Sequence, residues 1–355
     1  MLCMRTLALP CVLAATLLTA CGDDGGSGTG SEGTSSTGEP TTSTTATSGP
    51  TTSATTADTS SDSGSSSSAD TTATSGAPTT GDTSGSTTGE PGDVDVSVRF
   101  ALRVGDQDAT CDASYDGVGA SDATVSFRDL RFYVSNVRLL DADGAETPIA
   151  LTQDGTWQYE SVALLDFEDA SGECGEGTTT ETNDVVVGTV PAGEYTGVRF
   201  ELGVPFELNH LDVDAPPPLN DVAMFWAWAS GHKFLRIDIT NENPGPANGW
   251  FIHLGSQGCV SEAPVDPPTE PCSRPALPTI TLDAFDATTN LIVADIGRLV
   301  ADEDVNLDTP MSAPGCMSFA PDENECDELF PHLGLSWATG ACENDCAGQD
   351  FFSVE

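Results

Sequence analysis

The side chains best suited to chemistry in this 355-residue chain are thioethers, indoles and imidazoles. Met224, Trp226 and Trp228 alternate within one apolar stretch, so a β-strand would place all three on the same face. His210 stands where a predicted strand ends, and His253 alternates inside another. Imidazole and thioether ligands together suit copper, above all Cu(I), whereas carboxylates suit calcium or magnesium. These residue types favour a soft-metal site; the alternative is that the indoles only fill a hydrophobic core.

The cysteines indicate export and disulfide formation. Of the eleven, Cys3, Cys11 and Cys21 fall in the N-terminal segment, which leaves an even number that favours disulfides between sequence neighbours. A zinc site at Cys342 and Cys346 is the competing interpretation for that pair. With every remaining thiol paired, a blue-copper centre, which needs a thiolate, is not expected. The predicted pairs are Cys111 with Cys174, Cys259 with Cys272, Cys316 with Cys326, and Cys342 with Cys346.

The N-terminal quarter of the chain predicts export and tethering. Residues 1–20 combine a positive charge, an apolar run and small residues, as in a secretory signal peptide. The sequence Leu18-Thr19-Ala20-Cys21 resembles a lipobox, which implies cleavage before Cys21 and a lipid anchor there; plain secretion is the alternative. Residues 21–92 are nearly all Ser, Thr, Gly, Ala, Pro and acidic residues, which is typical of a disordered linker. The predicted folded domain is 93–355.

Charge and missing motifs narrow the function. The chain carries 56 acidic and 11 basic residues, a net charge of −45, which repels nucleic acid and anionic lipid surfaces. It contains no G-x-S-x-G, H-E-x-x-H or P-loop motif, and no dinucleotide-binding glycine motif at a strand-to-helix turn, so a hydrolase is not expected. We predict a binding protein that is not itself an enzyme. The acidic loops 141–146 and 302–304 lack full EF-hand spacing, and a calcium-stabilised sandwich is therefore only an alternative.

Short alternating segments predict an all-β fold. Between Val94 and Val104 apolar and polar residues alternate over eleven positions, the pattern of a strand with one buried face. No segment shows a long apolar stripe of helical period. We predict an antiparallel β-sandwich or barrel with long disulfide-pinned loops, preceded by the disordered stalk. The predicted strands cover 94–104, 130–134, 137–140, 185–190, 198–204, 222–228, 234–240, 250–254, 279–285 and 291–296.

A series of phrases between about residue 96 and the C-terminus carries a family resemblance. The phrases are Asp129-Leu130-Arg131-Phe132-Tyr133-Val134-Ser135, Ala163-Leu164-Leu165-Asp166-Phe167-Glu168, Leu202-Gly203-Val204-Pro205-Phe206 through Asn209-His210, Met224-Phe225-Trp226-Ala227-Trp228, Gly231-His232-Lys233-Phe234-Leu235-Arg236, His253-Leu254-Gly255-Ser256 through Cys259, and Pro314-Gly315-Cys316-Met317-Ser318. In this order they resemble the MbnP-like copper-binding proteins of methanobactin operons, the four-cysteine family of the metallo-mystery pairs.

The resemblance implies a periplasmic or cell-surface protein that binds one copper ion and serves copper homeostasis. It also implies a partner, a di-haem, MbnH-like enzyme related to cytochrome c peroxidases, which oxidises Trp226 to kynurenine. Opening the indole yields an aniline nitrogen and a carbonyl oxygen, which brings Trp226 into the metal-binding set. By the same resemblance His210 and His253 become imidazole ligands, with Met224 or Met317 as weaker candidates.

Two points stay open at this stage. His232 occupies a position where the family usually has tyrosine, so it is either a neutral change or a further ligand. The alternative function is a stalked β-sandwich that binds another macromolecule without metal chemistry, its tryptophans and histidines serving only as core.

Overall fold

The structure is a computed structural model of the chain. It describes residues 92–175, 180–211, 214–227, 229–242 and 249–355, with only the backbone described for 320–322. The predicted signal peptide, Cys21, the predicted linker up to residue 91 and Trp228 lie outside the described residues.

The described residues form eighteen strands, most of them short and joined by irregular loops. Their bounds are β1 (Asp93–Val104), β2 (Gln107–Asp108), β3 (Tyr115–Val118), β4 (Ala123–Leu140), β5 (Glu146–Pro148), β6 (Ala150–Leu151), β7 (Gln158–Tyr159), β8 (Val162–Asp166), β9 (Val185–Pro191), β10 (Gly197–Leu202), β11 (Phe225–Ala227), β12 (Gly231–His232), β13 (Leu235–Asn241), β14 (Trp250–Leu254), β15 (Thr279–Asp283), β16 (Ile292–Asp295), β17 (Gly315–Cys316) and β18 (Phe352–Val354).

Helical structure is limited to short segments in the described part of the chain. None of these helices is long and apolar enough to cross a membrane. The α-helices are α1 (Phe206–Asn209), α2 (Ile296–Leu299) and α3 (Leu329–His332), and the 3₁₀ helices are Gly172–Cys174, Val222–Met224, Ala320–Glu325 and Asn344–Cys346.

The strands form two open sheets and a separate hairpin of β11 and β12. The first sheet has the order β18-β16-β1-β9-β6, with β2 paired to β1. The second has the order β15-β10-β4-β13-β14-β17; β3, β5 and β8 also pair with β4, and β7 with β8. Neither sheet closes on itself, so the all-β prediction is confirmed in its sandwich form. Most pairs are antiparallel, as predicted; β1 with β16 and β14 with β17 are the parallel pairs among the described strands, and long stretches of chain separate the members of each.

Strand β4 is the element on which the second sheet is built. Along different parts of its length its eighteen residues pair with β10, β13 and β8. Two separate strands were predicted here, 130–134 and 137–140. The structure has one strand in which Asn136 adopts a left-handed φ of +52°, and the register against β10 shifts at this point. The interrupted alternation therefore marks a β-bulge and not a strand end.

Aromatic rings join the two sheets across the core. Phe100 of β1 meets Phe200 of β10 edge-on at 5.6 Å between ring centroids and Phe132 of β4 at 6.3 Å. Phe352 of β18 meets Phe200 at 5.1 Å in the same manner. All four side chains are buried. Edge-to-face pairs of this kind stabilise a core beyond the burial of their area. Because Phe100 belongs to the buried face of β1, the alternation in β1 also determines which face of its sheet packs against the other sheet.

All eight remaining cysteines pair as predicted. The longest link, Cys111 with Cys174, spans 63 positions and ties the loop after β2 to a 3₁₀ helix. Cys342 and Cys346 also form a disulfide, so the competing zinc interpretation of this pair is not supported. The long loops are thus pinned at four points.

We expect Phe100→Ala to lower the free energy of unfolding by about 3–5 kcal/mol, because it leaves a cavity where the ring meets both Phe132 and Phe200. Guanidinium unfolding under oxidising conditions measures the loss. Val94→Ala is the matched control: Val94 lies in the same strand but is 46% exposed, and the change should stay within about 0.5 kcal/mol. Equal effects of the two substitutions would contradict this account of the core.

Candidate metal centre

A capped 3₁₀ turn comes directly before the segment that contains Trp226. The Asp221 carboxylate accepts a hydrogen bond of 2.8 Å from the Ala223 N–H and begins the 3₁₀ helix Val222–Met224. The strand predicted over 222–228 is therefore wrong in its first half: Met224 ends a helical turn and is fully buried in the core, so it does not alternate with Trp226 along one strand face. The short strand β11 follows and pairs with β12.

Trp226 packs against the loop that follows β14. A Cβ atom added at Gly255 would lie 2.5 Å from the indole Cζ3 of Trp226, so only glycine lets the ring approach the backbone this closely. The half-buried indole also meets the ring of Phe319, with 5.5 Å between the ring centroids. Ser318, the residue before Phe319, is held in place by two hydrogen bonds: its hydroxyl donates to the His253 carbonyl at 3.1 Å and accepts from the Gly255 N–H at 3.3 Å. The indole is thus held beside the end of β14, which carries His253.

His253 is oriented by a carboxylate on the neighbouring strand. Its Nε2 lies 2.7 Å from Oδ1 of Asp238 in β13. Burial alone would raise the pKa of Asp238, but the hydrogen bond from His253 and the charge of Arg236 outweigh it and hold that pKa below its usual value. Burial lowers the pKa of His253 although the hydrogen bond with Asp238 opposes the shift, and this favours the neutral ring. An ionised acceptor at Nε2 requires the proton there, which leaves the lone pair of His253 on Nδ1, the atom that can bind a metal ion.

His210 is oriented by the residue before it. The Oδ1 atom of Asn209 accepts a hydrogen bond of 2.7 Å from the His232 N–H, which fixes the orientation of the amide. The amide nitrogen then faces His210 Nε2 at 3.2 Å and donates to it. Nε2 of His210 therefore carries a lone pair, which accepts this hydrogen bond; a metal ion bound at Nε2 would have to replace it. Gly231 makes this possible: its φ is +73°, and a Cβ there would lie 2.6 Å from the Asn209 amide.

His232 has a structural part in this arrangement. Its Nδ1 lies 2.8 Å from the Asn209 carbonyl oxygen and its Nε2 lies 2.8 Å from the Leu219 carbonyl oxygen. The ring is fully buried, between Tyr133 and Phe225. Because both ring nitrogens are engaged with backbone carbonyls, the structure favours the interpretation of His232 as a neutral change and not as a further ligand.

A buried network of ion pairs lies next to the candidate site, and the sequence analysis did not predict it. Arg131 pairs with Asp129 and, at 2.7 Å, with Asp221; Arg236 pairs with Asp129 at 2.9 Å and with Asp238 at 2.7 Å. Two sequence patterns indicated the network in retrospect: Asp-x-Arg in β4 and Arg-x-Asp in β13. The two strands pair so that Arg131 lies opposite Arg236 and Asp129 lies opposite Asp238. Asp129, Arg131, Arg236 and Asp238 line a cavity of about 600 Å³.

Cations of the same region also bind the backbone just before Trp226. Lys233 Nζ donates to the Ala223 carbonyl at 2.7 Å, and Arg236 Nη1 donates to the same oxygen at 3.1 Å. The Lys233 N–H donates to the Met224 carbonyl at 2.8 Å. Two cations and a backbone amide thus hold the two residues before β11, so the position of Trp226 is coupled to that of His253.

The predicted site residues divide into two groups. Trp226 contacts Gly255, two residues after His253. His210 lies against the disulfide that follows, with its Nε2 3.6 Å from Sγ of Cys272, which is bonded to Cys259. Met224 lies in the core, and the predictions that Met224 or Met317 binds metal stay predictions. Within the described residues, His210 with Cys259 and Cys272 is the group in which three possible metal ligands lie within 4.8 Å of one another.

The acidic loop 141–146 is a hydrogen-bonded turn. Oδ1 of Asp141 accepts hydrogen bonds from the N–H groups of Asp143 and Ala145 at 2.9 and 2.8 Å. The carboxylate therefore closes its own turn, as Asp does in many loops.

Comparison with known proteins adds to this geometry. The MbnP family matches residues 93–318. Among solved structures, MbnP from Methylosinus trichosporium is similar, with 33% identity, coverage of 74% of this chain and 98% of that chain, and a TM-score of 0.64. No curated protein matches. Family and ligand geometry together are compatible with metal binding.

Glu168, beside the network, gives the fold a pH dependence that can be tested. Its side chain is fully buried, and in the described residues its carboxyl oxygens have no hydrogen-bond partner, with Arg131 Nε at 3.4 Å from Oε1. Burial first, and then the charge of Asp129, raise the pKa of Glu168 to about 8, while Arg131 opposes the shift.

We expect Glu168→Gln to gain stability relative to the natural chain as pH rises. Between about pH 5 and pH 8 the folded natural chain holds a proton that the unfolded chain has released, so this carboxyl makes stability fall with pH. Glutamine does not titrate, and the difference in free energy of unfolding should shift in its favour across that window. Urea unfolding at several pH values measures the difference. The exposed Glu194→Gln serves as control, and a pH-independent difference for Glu168→Gln would contradict the assignment.

Proposed function

The chain belongs to the MbnP family, and from that premise we propose that it is a copper-binding protein of the periplasm or cell surface that serves copper homeostasis. The observation that carries the proposal is the orientation of His253, because Asp238 holds the proton on Nε2 and leaves the lone pair on Nδ1. Metal-binding histidines typically donate the N–H of their other ring nitrogen to a carboxylate in this way. At His210 the lone pair lies on Nε2, where a metal ion would replace the hydrogen bond from Asn209.

Trp226 completes the proposed site after oxidation. We propose that a di-haem, MbnH-like partner enzyme converts this tryptophan to kynurenine, as the family resemblance implies. The half-buried position of the indole supports the idea, since it lies against Gly255 and Phe319 with one part still open to solvent. An intact indole is a poor ligand, whereas kynurenine offers an amine nitrogen and a carbonyl oxygen. Nitrogen-rich sites without a thiolate suit copper, and we propose one Cu(I) ion held by His210, His253 and the modified Trp226.

Export and anchoring belong to the same proposal. Four disulfides fit an oxidising compartment, where such bonds persist. The lipobox-like sequence ending at Cys21 supports a lipid anchor, with residues 21–92 as the tether. We propose that the protein is not itself an enzyme and that its chemistry is the binding of copper.

The first experiment is mass spectrometry with metal analysis of the protein purified from its own host. We expect the peptide that contains Trp226 to be about 4 Da heavier than the sequence mass, the exchange of one carbon for one oxygen, together with about one copper per chain. In Trp226→Phe both the mass change and the copper should be lost. Trp157→Phe is the control, because Trp157 is a partly buried tryptophan outside the site and its replacement should leave both in place.

An intact Trp226 and a copper-free protein would overturn the proposal. The stalked interaction module would then be the better account of the chain. Full copper occupancy in Trp226→Phe would instead reject the kynurenine requirement while leaving the two histidines as ligands.

Asp238→Asn tests how His253 is prepared. Asparagine keeps the shape but removes the ionised acceptor at Nε2, so the tautomer of His253 is no longer fixed. We expect copper affinity to fall by about 10–100-fold, measured by competition with a Cu(I) chelator, while the mass change at Trp226 is retained. Asp283→Asn, at an exposed position on edge strand β15, is the control and should bind copper as the natural chain does. Unchanged affinity of Asp238→Asn would exclude this positioning role.

A further inference from the structure

The Cys259–Cys272 disulfide lies directly against His210. Nε2 of His210 is 3.6 Å from Sγ of Cys272, and this nitrogen and the two sulfurs lie within 4.8 Å of one another. In a tetrahedral site with metal–sulfur bonds of about 2.3 Å and metal–nitrogen bonds of about 2.0–2.1 Å, nitrogen and sulfur stand about 3.6 Å apart. The imidazole and one sulfur are therefore already spaced as two ligands of one metal ion.

This disulfide is also more accessible than two of the others. Cys259 is half-buried and Cys272 is 8% exposed, whereas the cysteines of the pairs 111–174 and 316–326 are at most 2% exposed. The next residue, Val260, is 79% exposed. Thiol–disulfide exchange requires that the attacking thiolate reach a sulfur, so a reductant meets this bond before the buried ones.

The backbone keeps the two cysteines together without the sulfur–sulfur bond. Gln257 and Arg274 exchange a pair of backbone hydrogen bonds of 2.8 and 2.9 Å on one side of the loop. The Ser273 N–H donates to the Gly258 carbonyl at 3.3 Å, and the Ser256 hydroxyl donates to the Pro275 carbonyl at 2.7 Å. Reduction would thus free two thiols on chain segments that stay side by side.

We propose that His210, Cys259 and Cys272 form a thiolate-containing site for a soft metal ion once a dithiol has reduced the disulfide. The S–S bond breaks, two electrons and two protons pass from the dithiol to the two sulfurs, and the dithiol itself becomes a disulfide. Metal binding then displaces the two thiol protons. Two thiolates and one imidazole suit Cu(I), and Nε2 of His210 supplies the third ligand when the metal ion replaces the hydrogen bond from Asn209.

One consequence rests on the proposed function. His210 is also a ligand of the proposed site at Trp226, so the two sites share an imidazole. In the reduced protein His210 binds copper together with the two thiolates, so it no longer serves the site at Trp226. The disulfide thereby becomes a redox control on where copper is held.

The test uses the full chain carrying Trp226→Phe, a change that removes the proposed kynurenine site and leaves the disulfide in place. The probe is Cu(I) alone, titrated without oxygen against a chromophoric Cu(I) chelator, before and after treatment with a dithiol, with thiols counted in parallel. We expect the reduced protein to retain about one more Cu(I) per chain than the oxidised protein.

Three variants test which residues bind the additional Cu(I). Cys259→Ser/Cys272→Ser should abolish it, and His210→Ala, which keeps both cysteines, should weaken it at least about tenfold. Cys342→Ser/Cys346→Ser is the matched control, because it removes another partly exposed disulfide and should keep the gain.

The inference fails if the reduced protein keeps its near-ultraviolet circular dichroism and shows new thiols but gains no Cu(I). It also fails if reduction of this bond unfolds the domain, or if the gain disappears with Cys342 and Cys346. Copper bound by the oxidised Trp226→Phe chain would count against the kynurenine requirement of the proposed function instead, since the inference depends only on the difference between reduced and oxidised protein.

Discussion

The buried ion network beneath the site is the constraint on which the arrangement of ligands depends. Placing charged groups in a protein interior costs several kcal/mol for each ion unless a partner compensates, and removing one partner leaves its counterpart uncompensated. Here Arg236 bridges Asp129 and Asp238, Asp238 holds His253, and Arg236 also binds the Ala223 carbonyl. The strands β4 and β13, the imidazole on β14 and the turn before Trp226 are therefore fixed relative to one another by a single set of charges.

Much of the fold could be predicted from alternation and cysteine pairing. The predicted strand 250–254 coincides with β14, and the alternation from Val94 to Val104 became β1 in a sandwich. The two-residue and three-residue strands such as β17 and β18 were missed, because a period of two needs more positions to be seen. Parallel pairing of β1 with β16 was also missed, since partners far apart in sequence leave no local signal.

The residues of the candidate site were predicted from their types and from the family resemblance, and their geometry had no signal in the sequence. The ligand set of His210, His253 and Trp226 stays a prediction. Their orientation depends on Asn209 and Asp238, two ordinary polar residues whose role appears only when distant segments meet. Met224 shows the opposite case: its spacing from the tryptophan suggested a shared face, but a single capped turn placed it in the core.

The position of β1 in its sheet has a mechanical consequence. This strand lies between β9 and β16, and its first residue, Asp93, pairs with Pro191 at the far end of β9. A pull on the preceding chain directed along β1 loads the hydrogen bonds to both neighbours in shear, so they must yield together and not one at a time. Strand β1 thus makes this end of the folded domain resist a stretching force through many hydrogen bonds at once.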